Sequence, residues 1–399
     1  MKVALAYSGG LDTTVSIKWL QEKYNAEVIT VTVDVGQEED FEEIEEKALK
    51  SGAIKHYFIN AREKFAEEYV AKCIKANGLY EGVYPLSSAL SRPLIAQEVA
   101  EVALKEGCDA VAHGCTGKGN DQIRFDVTFS ALAPGLKIIA PVREWNMSRD
   151  QEIEYALKNG LPVNPRKSRF SIDENLWGRS IEAGELEDPW IEPPIEAFKY
   201  LKPLDETPDN PQEIVIEFEK GIPKSIDGVK MPLEKLIMEL NIIGGVHGFG
   251  YIDHIEDRVV GLKSREVYEA PAALLLIYAH QDLEKMVLNK RILDFKPIIE
   301  HKWAEMVYSG LWVDPLVKAI NAFIDETQEE VTGEVRIKLF KGSARIVGRI
   351  AEKPLYNPEM ITYTSKSVFD QKAGEAFSRL WGLPSTMYYT YRKQTIKQS

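Results

Sequence analysis

Cysteine is scarce: the 399-residue chain has only Cys73, Cys108 and Cys115. An odd number without C-x-x-C spacing excludes a disulfide framework and a zinc ribbon, and points to a reducing compartment, the cytoplasm. The histidines, at 56, 113, 247, 254, 280 and 301, show no H-E-x-x-H or comparable spacing, so no fixed metal site is expected. No run approaches the roughly 18 apolar residues of a membrane span. The chain opens on "KVALAY" rather than a basic segment and an apolar core, so no membrane anchor or secretory signal is expected. Positive charge is also in deficit, because 49 Lys and Arg against 62 Asp and Glu leave a net charge of −13. That balance counts against a nucleic-acid partner, whose affinity comes mainly from neutralising phosphates.

What is present is a length sufficient for two domains and an ordinary balance of 44% hydrophobic and 28% charged residues. Strand and helix patterns alternate through the first 160 or so residues. Short, mostly apolar strand patterns at 2–7, 27–35, 55–60 and 137–142, with "DAVAHG" between the last two, are separated by helical patterns at 14–24, 38–52, 62–78 and 92–107. This rhythm predicts an α/β fold with a doubly wound parallel sheet over 1–165, and its ligand crevice at the carboxyl ends of the strands. After residue 165 the rhythm breaks into the irregular "PVNPRKSRFSIDENLWGRS" and a proline-rich acidic stretch. A strand at "EIVIEFEKG", a helix at "PLEKLIMELNIIGG", helices over 270–330 and a hairpin turning at Lys341-Gly342 predict an α+β domain over 166–370. The remainder, 371–399, carries Trp381 and three tyrosines near a basic end and is expected to be covered by another subunit.

The stretch "LAYSGGLDTTVSIKWL" (5–20) places Ser8-Gly9-Gly10 between a buried strand and a helix. Glycines there let the backbone reach positive φ and let a ligand approach. Free N–H groups at the positive end of the helix favour an anion. The alternative is a plain helix entry capped by Asp12 or Ser8. The stretch lacks the lysine of a Walker loop, and S-G-G-x-D-T/S instead resembles the pyrophosphate-binding loop of the N-type ATP pyrophosphatases. Asp12 is then a candidate for holding magnesium or for organising the loop. A second cluster, "AVAHGCTGKGNDQIRFD" (110–126), combines Gly114, Gly117 and Gly119 with Thr116, Asn120, Asp121 and Arg124. An amide, a carboxylate and a guanidinium together suit an amino-acid ligand. A capped helix with a solvated polar face is the competing reading.

"AYSGGLDT", "HGCTGKGNDQIRF", "SIDENLWGRS" and "GLKSREVYEAPA", in this order and at these separations, resemble the argininosuccinate synthase family over nearly the whole chain. The resemblance implies an adenine nucleotide alpha hydrolase-like first domain, ligation of citrulline with aspartate at the expense of ATP, release of AMP and pyrophosphate, and a homotetramer; Mg2+ is expected as a cofactor from the carboxylate of Asp12 beside phosphates. It implies ATP contacts from Ala6, Tyr7, Ser8, Gly9, Gly10, Leu11, Asp12, Thr13, Thr14, Val33 and Gly114. Thr116, Asn120 and Asp121 would hold aspartate. Citrulline would be held by Tyr84, Ser88, Ala89, Asn120, Arg124, Ser171, Ser180, Glu256 and Tyr268. Ala89 lacks the hydroxyl that many relatives carry at that turn, and Cys115 replaces a smaller residue. Ser171 and Ser180 flank "IDENLWGR", a stretch too polar for core that could close over the first domain; without the resemblance the two serines read as ordinary loop caps, and Glu256 alone reads as an exposed glutamate.

"GGVHGFGYIDHIED" (244–257) imitates a dinucleotide loop, but a strand pattern follows Gly250 where a helix is required. No His/Asp or Cys/His pair in the motifs calls for a covalent enzyme intermediate, and no general base stands out. Two alternatives fit the same opening loop. One is another ATP pyrophosphatase, such as a tRNA thiolase or an amide-forming synthetase. The other is an ATP-sensing regulator without turnover.

Overall fold

The computed structural model describes residues 1–163 and 169–398. The boundary expected between 165 and 166 lies outside them. Five strands, β1 (Lys2–Ala6), β2 (Glu27–Asp34), β3 (Lys55–Asn60), β4 (Ala110–Ala112) and β5 (Lys137–Ile139), form a wholly parallel sheet ordered β3-β2-β1-β4-β5. Alternate residues of β1 feed opposite faces, as the pleat requires. Val3 and Leu5 join Ile17, Leu20, Ile44 and Ala48 on one side, while Ala4 and Ala6 join Leu90, Leu94, Phe125 and Phe129 on the other. The sheet is therefore doubly wound, and its order reverses between β1 and β4, which opens a crevice beyond their carboxyl ends.

Helices α1 (Leu11–Tyr24) and α2 (Phe41–Lys50) cover the first face. The Asp40 carboxylate caps α2 by accepting from the Glu43 N–H at 3.0 Å. The helix Arg149–Lys158 packs Ala156 against Val15 of α1 and starts on a reciprocal Ser148–Gln151 capping box. Two expectations shift here. The run at 137–142 stops as a strand at Ile139, because Pro141 opens a short helix that its fixed φ favours. Ser88 and Ala89, read as a turn, lie in the first turn of the helix Ser87–Lys105.

The second half holds two antiparallel sheets. The hairpin β6 (Ser171–Asn175) and β7 (Gly178–Glu182) joins the later hairpin β11 (Tyr251–Asp257) and β12 (Lys263–Glu269) in the order β11-β12-β7-β6. Strands β8 (Gln212–Glu219), β9 (Ile222–Ile226), β10 (Val229–Lys230), β13 (Gly333–Phe340) and β14 (Ser343–Ala351) form the other sheet. Lys341 and Gly342, at φ 45° and 76°, make the two-residue turn between β13 and β14 that was expected there. The region 270–330 divides into the helices Pro271–Val287, Lys290–Tyr308 and Pro315–Gln328.

The hairpin β6–β7 does lie over the first domain, but it is not too polar for core. Its tip drives Trp177, wholly buried, into the first domain, where the indole N–H donates to the Pro85 carbonyl at 2.7 Å. The Leu176 N–H donates to the Val35 carbonyl at 2.9 Å, just past the end of β2. Residues 354–399 form a separate compact unit with helices Pro358–Ile361, Ala373–Trp381 and Leu383–Gln398. Among the described residues, no helix is long and apolar enough to cross a membrane.

Candidate active site

The loop after β1 has the geometry that its glycines suggest. Gly9 takes φ 74°, and Gly10 sits at the N-cap of α1 without any side chain capping the helix. Neither Asp12 nor Ser8 is the cap, which leaves the first-turn N–H groups without a side-chain partner; the Ser8 hydroxyl accepts from the Gly10 N–H at 3.4 Å and shares a hydrogen bond of 3.2 Å with the Thr13 hydroxyl. Across the crevice, Gly114 follows β4 so closely that a Cβ there would stand 2.8 Å from Thr13 Cγ2. Glycine is what lets the two loops touch at the switch point.

Between them lies a cavity of about 820 Å³ lined by residues 6–13, Val33 and Gly114, as well as Asp121, Ser171 and Asp173. Thr14 is not on its wall: it is fully buried and its hydroxyl shares a hydrogen bond of 3.1 Å with Tyr7. The Gly114 turn is held by a histidine the motifs did not single out for a role. His113 Nδ1 accepts from the Cys115 N–H at 3.1 Å, which leaves its Nε2–H to face Asp126 at 2.9 Å. Arg143 fastens Asp126 in turn, at 2.6 Å.

The amino-acid residues gather beside this cavity. Asp121 opens the helix Asp121–Leu132 and is gripped from two sides, by Arg92 Nε at 2.7 Å and Arg124 Nη1 at 2.8 Å. Burial acts to raise its carboxyl, yet Arg92 and Arg124 outweigh burial and hold it below the usual carboxylate range. Arg92 also pairs with Asp173 at 2.8 Å, and the Ser88 hydroxyl donates to that same carboxylate at 2.5 Å. Ala89 is fully buried and brings no polar atom, so the polar contact at this position falls to Ser88. Thr116 is exposed on the loop before Asn120.

Tyr84 stacks on Tyr268 with ring centroids 4.3 Å apart. The Tyr268 hydroxyl donates to Glu256 at 2.6 Å, and the Tyr308 hydroxyl donates to the other oxygen of that carboxylate. Glu256 is therefore a buried hub, not an exposed strand residue. Burial pushes its pKa up, but His254, Tyr268 and Tyr308 together hold it below its ordinary value. Tyr308 also accepts from Asn120 Nδ2 at 2.8 Å, and its carbonyl accepts from the Arg124 guanidinium at 2.9 Å. Ser180 lies opposite Tyr268 in the β7–β12 register and opposite Asp173 in the β6–β7 register. Of the expected citrulline group only Ser171 lines this cavity; the others form the adjoining cluster, to which Asp121 is the bridge.

Glu152, in the helix Arg149–Lys158, faces Asp12. Burial, followed by the hydrogen bond and charge of Asp12, raises the Glu152 pKa from 4.5 to about 8. Between those pH values the folded protein keeps a proton that the unfolded chain has lost, so stability falls as pH rises through the window. Glu152→Gln, which stays neutral and can still donate to Asp12, is expected to melt higher than the parent at pH 9, by on the order of 1–3 kcal/mol, and equally at pH 4. Thermal melts across pH 4–9 check this, and parallel curves would contradict it.

Fold and site together define an α/β nucleotide-binding enzyme of the HUP type, with an amino-acid cluster built against its switch point. The Arginosuccinate synthase N-terminal HUP domain matches residues 2–162, and the Arginosuccinate synthase C-terminal domain matches residues 170–388. The chain is 58% identical to the argininosuccinate synthase of Pyrococcus furiosus, over 98% of this chain and 94% of that protein. It is 56% identical to that of Oceanobacillus iheyensis, over 97% and 93%, and 55% identical to that of Pyrobaculum aerophilum, over 98% and 99%. The chain belongs to the argininosuccinate synthase family, whose members are C–N bond-forming ligases.

Proposed function

We propose that the protein joins citrulline to aspartate with ATP, through a citrullyl-AMP intermediate, and releases AMP and pyrophosphate. The observation that carries this reading is the position of Asp121, on the wall of the nucleotide cavity and ion-paired to Arg124 of the amino-acid cluster. ATP would lie with its phosphates on residues 8–13, Thr14 supporting the loop from behind through Tyr7, and its adenine near Val33 and Gly114. Thr116, Asn120 and Asp121 would hold aspartate between the nucleotide and citrulline. Citrulline would rest against Tyr84, Ser88, Arg124, Ser171, Ser180, Glu256 and Tyr268.

The ureido carbon of citrulline is a poor electrophile, because two nitrogens donate into its carbonyl. Attack of the ureido oxygen on the α-phosphorus breaks the bond to the bridging oxygen, and pyrophosphate leaves with that electron pair. The aspartate amine, neutral when it reacts, then attacks the ureido carbon; AMP departs and the nitrogen loses its proton. Alignment of the three ligands supplies much of the acceleration, and fixed N–H groups favour the charge that builds on the leaving group. No cluster of three His, Cys, Asp or Glu able to hold a metal occurs among the described residues. A magnesium ion carried by ATP needs few protein ligands, and Asp12, on the cavity wall beside the loop, fits that part. The ion would add positive charge to the phosphates.

Citrulline-dependent release of pyrophosphate from ATP and magnesium, with argininosuccinate formed only when aspartate is added, tests the reading. ADP and phosphate as products would eliminate it; ATP binding without turnover would favour a sensor. The free thiols of Cys73, Cys108 and Cys115 support placing the enzyme in the cytoplasm. Phe377, Trp381 and Tyr389, each more than half exposed in the unit 354–399, support a homotetramer. A monomer mass by light scattering would remove that part.

A further inference from the structure

The wall of the nucleotide cavity is poor in positive charge. Nine carboxylates line it against three Lys or Arg side chains, Lys47, Arg92 and Arg149. Arg92 is committed to Asp121 and Asp173, and Arg149 stands exposed in the first turn of its helix. The phosphate loop supplies no cation, and its one charged side chain is Asp12. Lys47 differs from the other two. It reaches from the last turn of α2, half-buried, and its Nζ donates to the Gly9 carbonyl at 2.8 Å, inside the loop itself. No carboxylate lies in ion-pair range of Lys47 among the described residues. The packing of Ile44, one turn earlier, against Gly9 fixes how closely α2 approaches the loop.

We propose that Lys47 is a catalytic residue that binds the β- and γ-phosphates of ATP and neutralises the pyrophosphate as it leaves. This rests on the assignment of ATP to the loop made above. A carbonyl oxygen is a weak partner for an ammonium, and a phosphate oxygen in the same crevice is a stronger one. The lysine's flexible stem lets the head move from one to the other. No proton is transferred in this step: the α-phosphorus to bridging-oxygen bond breaks, the electron pair stays on the pyrophosphate, and the ammonium meets that charge.

The test compares Lys47→Met and Lys47→Arg with the parent as full-length enzymes, after circular dichroism has shown equal helix content. Lys47→Met is expected to lower kcat for pyrophosphate release about 100-fold, the scale of one lost electrostatic stabiliser. It should weaken product inhibition by added inorganic pyrophosphate about tenfold or more. Inhibition by AMP and the KM for citrulline should stay within about twofold, and Lys47→Arg should recover most of the loss. Unchanged pyrophosphate inhibition in Lys47→Met overturns the proposal. So does an equal weakening of AMP and pyrophosphate, which would make Lys47 a brace for the loop. A parent enzyme that releases ADP would instead overturn the functional reading on which this rests.

Discussion

Replacing Arg92 with methionine is expected to destabilise the protein by about 3 kcal/mol and to cut turnover about 100-fold or more. The stability loss follows from what the guanidinium holds. Asp121 and Asp173 both sit within 2.8 Å of it, and neither carboxylate is free to swing into bulk water, because Arg124 and Ser88 hold their other contacts. Removing the cation leaves two like charges facing one another in a half-buried crevice, which costs more than the pair ever contributed. The activity loss follows from position. Asp121 joins the nucleotide cavity to the amino-acid cluster, and a carboxylate displaced by about an ångström there misaligns the two reacting groups. Arg92→Lys is expected to recover part of the stability and little of the activity, since an ammonium cannot span both carboxylates with a planar fork. Urea unfolding and kcat for pyrophosphate release check both claims; a Met variant with the parent's turnover would refute the second.

Gly9→Val is expected to lose about 1–3 kcal/mol of stability and to lower turnover about 100-fold or more. A β-branched residue is strained at φ 74°, and its Cβ would stand 3.0 Å from Ile44 Cγ1. Relief of that strain rotates the loop's peptide groups away from the crevice, so the N–H groups no longer converge on the phosphates. Gly10→Val is the instructive partner. Its φ of −71° suits any residue, and its Cβ would meet only Ser8 Oγ at 3.3 Å. The Gly10 variant should therefore fold with nearly the parent's stability, within about 0.5 kcal/mol, while its branch obstructs the loop and stops turnover. Equal unfolding midpoints for both variants would show that the positive φ of Gly9 carries no strain.

The parallel sheet was legible because each of its strands is a short, mostly apolar run followed by a helical period. The conformation of the loop after β1 was legible because its glycines and hydroxyls lie next to one another in the chain. What escaped is what long-range packing builds. Glu256 reads as solvated on an alternating strand, and only the arrival of Tyr308, from a helix 52 residues later, makes it a buried hub. Arg92 had a weak signal, a lone cation on the apolar helix pattern "RPLIAQEVA", one turn after Ser88. Lys47 sits in a run of helix formers and charges that reads as a solvated face, and nothing local distinguishes it from Lys50. Trp177 was hidden by polar neighbours that turn out to be hydrogen-bonded rather than exposed, with Asn175 Nδ2 donating to the Ser87 carbonyl at 2.9 Å.

Trp177 also imposes an order on assembly. Its seat, beneath Pro85, belongs to the part of the chain that leaves the ribosome first, whereas the indole arrives some ninety residues afterwards. Until then the newborn α/β portion carries an unfilled apolar slot, and Val35 lacks the amide that will close off the end of its strand. Translation therefore delivers the nucleotide crevice unfinished, and the later half of the polypeptide acts as its keystone.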